Sequence, residues 1–433
     1  MCARFLICLL LMMALIGVSG CSRDATAPRP ENATPRHRIA LTHYFSGTLS
    51  GGVDQMVERF NRDSRDLELT VSALDHEAFK SSIFATLDRG NPPDLFSYWA
   101  VARVQSIVGQ LVPIDSMWDA EGLSKKFAPS LVALASTYDG KKYLLPITQH
   151  YVGFYYNIQV FKSAGVEPPR TWTQFLDVCD RLKKAGVAPI ALGAKAKWPA
   201  QFWFDYLLLR TAPIEYRERL MSGRARYTDA EVMRAFKYWS ELSMKGYFTA
   251  NPNEGDWDRG AAEDVFAGKA GMTLMGTWLS AYLSDAQHRW IGGQDYGFFS
   301  FPIIDESIPL VAVGPVDGLI VPNKASHVEG AMRALAHLAT EESQQAMSRG
   351  SGAFAPNRLV QRQSYSSFQQ GILDDMEMSR HWAFAFDLST PPAVAQIGLD
   401  AFAEFLEFPG QYPRTLKEVD RRIRALQAKP TPP

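Results

Sequence analysis

The chain has 433 residues and a formal net charge of −1. That balance leaves no electrostatic footprint for nucleic acid, and the length is too great for one small core and suits two domains. Ten Trp and sixteen Tyr exceed what core packing usually asks for; the excess fits a protein that offers flat apolar faces to a ligand, with sugar rings an obvious candidate.

Residues 1–20 read as a lipoprotein signal peptide. Arg4 is a thin positive region, and Phe5 to Val18 is an apolar run too short for a comfortable membrane span. Val18-Ser19-Gly20-Cys21 puts small residues before a cysteine that would be acylated and become the mature N-terminus. An ordinary buried helix or an uncleaved anchor is the plainer alternative. Residues 21–37, rich in Pro, Ala, Thr and charge, read as a flexible tether. Within it Asn32-Ala33-Thr34 matches a glycosylation acceptor, a match that chance explains in a short polar tract. Cys2 and Cys8 would leave with the signal. Cys179 falls on a helix face with Phe175, Val178 and Leu182 and reads as core, so no intramolecular disulfide is expected.

Ile39-Ala40-Leu41 opens a strand that runs out at His43-Tyr44-Phe45. A Gly/Ser-rich turn follows, and then Val53, Met56, Val57 and Phe60 recur at helical spacing. Strand, glycine-rich turn and helix form a ligand-cradling geometry, without a dinucleotide fingerprint. Leu67 to Ala73 alternate as a second strand ending near Asp75, and a helix follows to Arg89. Leu95-Phe96 enters a third strand with Trp99 at its end. Three successive strand–helix units therefore place Tyr44, Asp75 and Trp99 at strand carboxyl ends, where ligands bind open α/β sheets. For Tyr44, simple packing is the equal alternative.

Asp139-Gly140 is a turn into a long apolar run that holds Gln149 and His150; a hydrogen-bonded interior histidine is the plainer reading of His150. Asn157 reads as a helix N-cap closed by Gly165, and Thr171 to Gln174 as a capping box. Trp198 precedes Pro199 on the loop into an apolar helix and is a cleft candidate, whereas Trp203 reads as core. Thr228 to Glu231 and Ser326 to Glu329 also have the spacing of capping boxes. Asn253 to Asp258 is rich in carboxylates without metal-loop spacing and reads as a solvated loop with an Asp cap.

Gly260 to Trp278 organises the rest. Val265 and Phe266 form an apolar helix face, Gly268 ends that helix, and Gly271 to Met275 reads as a buried strand. Gly276 turns the chain and sets Trp278 at the strand's carboxyl end. Lys269 after Gly268 has part of a phosphate-loop pattern, but Glu263 and Ala270 stand where glycine and Ser or Thr are needed, which excludes nucleotide hydrolysis there. Asp317 lies in the Gly314 to Gly318 turn, fit to bond a ligand hydroxyl or to cap the turn. Trp382 is a plausible last stacking platform. There is no H-E-x-x-H, no G-x-S-x-G and no Cys/His metal spacing.

In order along the chain stand P-D-L-F-S-Y-W, then Y-x-x-P followed by Y-N, then P-P-x-T-W-x-x-F. After these come F-x-x-G-K-A with G-x-W, and finally an aromatic, Asp387 and Pro391-Pro392. This ordered set resembles the solute-binding proteins of ABC sugar importers, of the maltose-binding type, over nearly the whole mature chain. The resemblance implies a two-lobed α/β fold with parallel-type sheets flanked by helices and a cleft between the lobes. It implies residues 38–149 plus 302–353 in one lobe, and 150–301 plus 354–433 in the other, with crossings near 150, 301 and 355. It sets Gln149 at a crossing facing the cleft. It also implies a carbohydrate ligand, permease subunits as partners, a monomer held at the cell envelope through Cys21, no cofactor and no catalysis. A lipid-anchored glycoside-processing enzyme, or a binding protein of this fold for another solute, remains the alternative; the two carboxylates of a glycosidase need only converge in space.

Overall fold

The computed structural model describes residues 36–428. The signal segment, Cys21, the Asn32 acceptor and most of the tether lie outside the described residues. The strands are β1 (His37–His43), β2 (Leu67–Ala73), β3 (Leu95–Trp99), the short pair β4 (Thr137–Tyr138) and β5 (Lys141–Lys142), β6 (Leu145–Gln149) and β7 (Val152–Asn157). Then follow β8 (Ala188–Ala191), β9 (Ala270–Gly276), β10 (Tyr296–Phe299), β11 (Val311–Val313), β12 (Val316–Ile320) and β13 (His381–Ala383).

Two sheets organise these strands. The first has the order β2-β1-β3-β12-β6 and the second β10-β7-β9-β8. In the first, β1, β2 and β3 run parallel, as three strand–helix units require, and β12 is antiparallel to both β3 and β6. In the second, only β8 and β9 are parallel; β7 runs antiparallel to β9 and β10. The antiparallel pairs follow from connectivity, because β7 arrives directly from the other sheet and not through a helical crossover.

The chain passes between the sheets at His150-Tyr151, which separates β6 from β7. It passes again between β10 and β12. Beyond the helix Glu341–Ser351, the backbone of Phe354 exchanges hydrogen bonds with Gln149 at 2.9 Å in both directions. The three passages thus lie beside one another.

Helices cover the sheets by burying single apolar stripes. On Ser50–Asp63 the spacing of Val53, Met56, Val57 and Phe60 puts all four in the core. That helix touches Glu341–Ser351 closely because glycines face each other: a Cβ on Gly52 would sit 2.6 Å from the Met347 carbonyl oxygen, and one on Gly350 would sit 2.2 Å from the Gly52 nitrogen. Cys179 is buried with Phe175, Val178 and Leu182, and Trp203 is fully buried.

Local signals mostly match the structure. Asn157 caps its helix through Val160 N, Gly165 is left-handed, and Thr171 and Gln174 form a reciprocal box. Two capping boxes are corrections. The helix Ala230–Met244 starts after Asp229, whose carboxylate is already engaged by Arg226 N and the Tyr216 hydroxyl. The helix Val328–Leu338 starts after His327, which makes no side-chain cap; its own N–H is bonded to Asp94 at 2.8 Å. The run before Gly260 is also rearranged: Asp256 precedes a wide π-type turn, Trp257–Ala262, and makes no side-chain cap.

Candidate functional site

A cavity of about 250 Å³ lies between the two sheets. Six of the sequence candidates line it: Tyr44, Asp75, Trp99, Trp198, Trp278 and Asp317. They arrive from β1, β3, β12 and helix starts on both sides, as expected where strand ends and helix N-termini face one crevice.

Tyr44 and Trp99, from the ends of neighbouring strands, stack with centroids 4.1 Å apart and planes 12° apart. His76 stands edge-on to both rings. Asp75 caps the helix His76–Asp88, accepting from Glu77 N at 3.0 Å and Ala78 N at 3.2 Å. On the opposite wall Trp278 begins one helix and Trp198 another; their rings meet edge to face at 5.9 Å, and Trp257 lies 6.3 Å beyond Trp198. Gly276 makes room for this wall, because a Cβ there would fall 2.0 Å from the Trp278 ring.

A buried polar group sits behind the aromatics. The Asp317 carboxylate accepts from the Tyr44 hydroxyl at 2.7 Å and from Thr148 Oγ1 at 2.6 Å. Burial pushes its pKa up to about 6, although those two hydrogen bonds, Thr148's first, pull the other way. His150 Nε2 is 3.8 Å from Asp317 Oδ2, and its Nδ1 is 2.9 Å from Thr277 Oγ1. Burial pushes the imidazole pKa down to about 3. From about pH 3 to 6 the contact therefore joins a neutral imidazole to a largely protonated acid; it is a polar contact and not an ion pair. His150 is interior and hydrogen-bonded, yet it lines the cavity and lies edge-on to Trp278 at 5.1 Å.

Two candidates are placed elsewhere. Gln149 is not part of the cavity lining; Thr148 and His150 flank it, and alternation along the strand sends its side chain away from theirs. Trp382 lies in β13 and packs against the small cluster of Tyr151, Ala312, Phe354 and Ile372. Its indole Nε1 is buried without a partner among the described residues.

Sequence reasoning passed over His76, Lys80, Gln201, Trp257 and Asp387, all of which line the cavity. Trp257 had a visible signal, an indole inside a charged loop. Lys80 had none, and Asp387 appeared only as a member of the ordered motif before Pro391-Pro392. Among the described residues no group of three or more His, Cys, Asp or Glu could hold a metal ion, and no helix is long and apolar enough to cross a membrane.

A model of the bacterial extracellular solute-binding proteins matches residues 46–345. The chain is 26% identical over 395 residues to an uncharacterized ABC transporter extracellular-binding protein of Pyrococcus horikoshii, covering 88% of this chain and 86% of that one. It is 24% identical over 301 residues to a Brucella suis protein named "probable sugar-binding periplasmic protein", covering 68% and 69% of the two chains. The bacterial solute receptor AcbH, described by an exclusive substrate preference for β-D-galactopyranose, superposes with a TM-score of 0.84 at 25% identity, over 90% of this chain and 100% of that one. A chitin oligosaccharide binding protein shares the fold with a TM-score of 0.80 at 24% identity, over 90% and 99%.

Proposed function

This chain belongs to the bacterial extracellular solute-binding protein family, and we propose that it captures a sugar between its two lobes and delivers it to the membrane subunits of an ABC importer. The observation that carries this reading is the cavity itself. Indoles and a Tyr–Trp stack form its walls, and carboxylates and histidines stand among them. Sugar rings present apolar C–H faces and a rim of hydroxyls, and such a lining serves both.

The cavity of about 250 Å³ has room for a sugar ring with its hydroxyls. Aromatic stacking worth about 0.5–1.5 kcal/mol per contact and charged hydrogen bonds worth about 1.5–3 kcal/mol each offset the cost of association. A net of about 8 kcal/mol, or micromolar affinity, allows both capture and release. No bond need be made or broken in the ligand.

The lobes in this reading are residues 38–149 plus 302–353, and 150–301 plus 354–433. The three adjacent passages act as the hinge, and the closed form is what the permease recognises. Cys21 carries the lipid that holds a monomer at the cell envelope. Tyr44, Trp99, Trp198 and Trp278 supply the stacking faces, and Asp75 and Asp317 stand beside them as acceptors.

A thermal-shift screen of the protein against mono- and oligosaccharides tests this. A ligand at about a hundred times its Kd stabilises by roughly 2.7 kcal/mol. The reading expects one sugar to raise the Tm and to be recovered unchanged. A sugar recovered cleaved would make the protein an enzyme. A shift with an amine, metal or anion and with no sugar would keep the fold and refute the ligand.

A further inference from the structure

We infer that Lys80 and Asp387 share one hydroxyl of the bound ligand across the cleft, so that a single group is read by both lobes at once. This rests on the sugar-binding reading and names the residues that set its specificity.

Lys80 lies on the helix His76–Asp88, beside the five-stranded sheet, with its ammonium 5.6 Å from the Trp99 ring centroid. Asp387 comes from the far side, in the short helix Phe386–Ser389, which packs on Trp198–Leu209. Both line the cavity. The Asp387 side chain is only 6% exposed, yet neither of its oxygens accepts a hydrogen bond from the described residues. Its nearest cations, Lys80 Nζ at 4.0 Å and Arg103 Nη2 at 3.6 Å, stand at ion-pair distance but beyond hydrogen-bond contact. Arg103 Nε is likewise buried without a partner. A buried carboxylate without donors is costly, and a missing donor is what a ligand supplies.

Elsewhere in the cavity the acids are either already bonded or, as with Asp256 and Asp258, far more exposed, with side chains 40% and 28% accessible. Asp75 caps its helix, Asp317 holds two hydroxyl donors, and Glu77 takes His76 and Lys80. Asp387 itself is held rigidly from behind: Gln201 Oε1 accepts its backbone N–H at 2.8 Å, and Asp205 Oδ2 accepts that of Phe386 at 2.8 Å. Backbone anchoring with a carboxylate that is ion-paired but accepts no hydrogen bond is the arrangement of a group kept for a ligand.

The gap selects the chemistry. An oxygen about 2.8 Å from both Lys80 Nζ and Asp387 Oδ2 would subtend an angle of about 90° over their 4.0 Å separation, within reach of hydrogen-bond geometry. It must donate to the carboxylate and accept from the ammonium. A hydroxyl does both, whereas an ammonium cannot accept and an ionised carboxylate cannot donate. The pair therefore reads a hydroxyl at one ring position and rejects an amino or carboxylate substituent there.

The test is isothermal titration calorimetry of the full chain with D-galactose, D-glucose, D-mannose and D-xylose, then with monodeoxy analogues of whichever binds. Asp387→Asn and Lys80→Gln should each weaken the best ligand about tenfold or more. The double variant should be far less weakened than the product of the two, because both lose the same hydroxyl. One monodeoxy analogue should bind the wild type about tenfold more weakly than its parent and bind all variants alike. Single effects within about threefold, or effects that multiply in the double variant, would overturn the inference while the sugar reading stands. If no sugar binds the wild type, both fall together. Should a variant fail to fold, the wild-type deoxy series decides alone, and equal binding by every analogue contradicts the inference.

Discussion

The Tyr44 hydroxyl donates to Asp317 Oδ1 across 2.7 Å, tying the end of the first strand to a strand that returns 273 residues later. Replacing Tyr44 with Phe keeps the ring on Trp99 and removes only this donor. Stability at pH 7 should fall by about 2 kcal/mol, the cost of stripping one hydrogen bond from a buried acid. Urea unfolding at constant m-value measures it; a change of only a few tenths would show that the bond is idle.

The pH dependence follows from Asp317. Its folded pKa of about 6 lies above the ordinary carboxylate value of 3.8. A raised folded pKa means the native state holds the proton more tightly. The resulting stabilisation is full below about pH 4 and is lost as pH rises through 6. Relative to Asp317→Asn, the wild type should lose about 2 kcal/mol between pH 4 and pH 7. Parallel stability curves for the two proteins would refute this. His150 has the opposite sign: with a pKa pushed down to about 3, it favours the fold above 6.5 and costs stability as pH falls below that value.

Gly276 tests the rear wall. Gly276→Ala would place a methyl 2.0 Å from the Trp278 ring and must displace it. Overpacking of this kind costs about 1–3 kcal/mol. Sugar affinity should fall as well, because the indole face turns. A variant with native stability and native affinity would show that the ring has room to move.

Arg217 is bonded to Asp205 at 2.6 Å deep in the fold, with the two side chains 5% and 0% exposed. Burial raises the Asp205 pKa, against the pull of Arg217. Arg217→Ala should destabilise by about 3–5 kcal/mol, since it leaves a buried carboxylate unpaired. Asp205 also accepts the Phe386 N–H, so a folded variant should bind sugar more weakly through a displaced Asp387. Chemical denaturation and calorimetry on one preparation separate the two effects.

Much of this architecture was legible because its signals are local. The three parallel strands, the Gly268 stop, the Gly276 turn and the indole at Trp278 each depend on residues within a few positions. What stayed hidden depends on pairing. The resemblance set Gln149 facing the cleft, but the cavity is lined by its neighbour His150 instead. Trp382 looked like a free platform until β13 paired with β11 and gave it a cluster to cover. Thr228 and Ser326 have capping spacing, yet Asp229 and Asp94 are bonded to other partners that no window of sequence displays. The Lys80–Asp387 gap spans more than 300 positions and exists only once both lobes are folded.

The most direct test of the central claim is calorimetric titration of neutral monosaccharides into wild type and Trp198→Ala, with chemical analysis of the sugar afterwards. Capture in the aromatic cleft predicts a micromolar wild-type Kd for at least one sugar, a loss of about tenfold or more in Trp198→Ala, and intact sugar at the end. Wild-type binding unchanged by the substitution, or sugar returned in pieces, would contradict it.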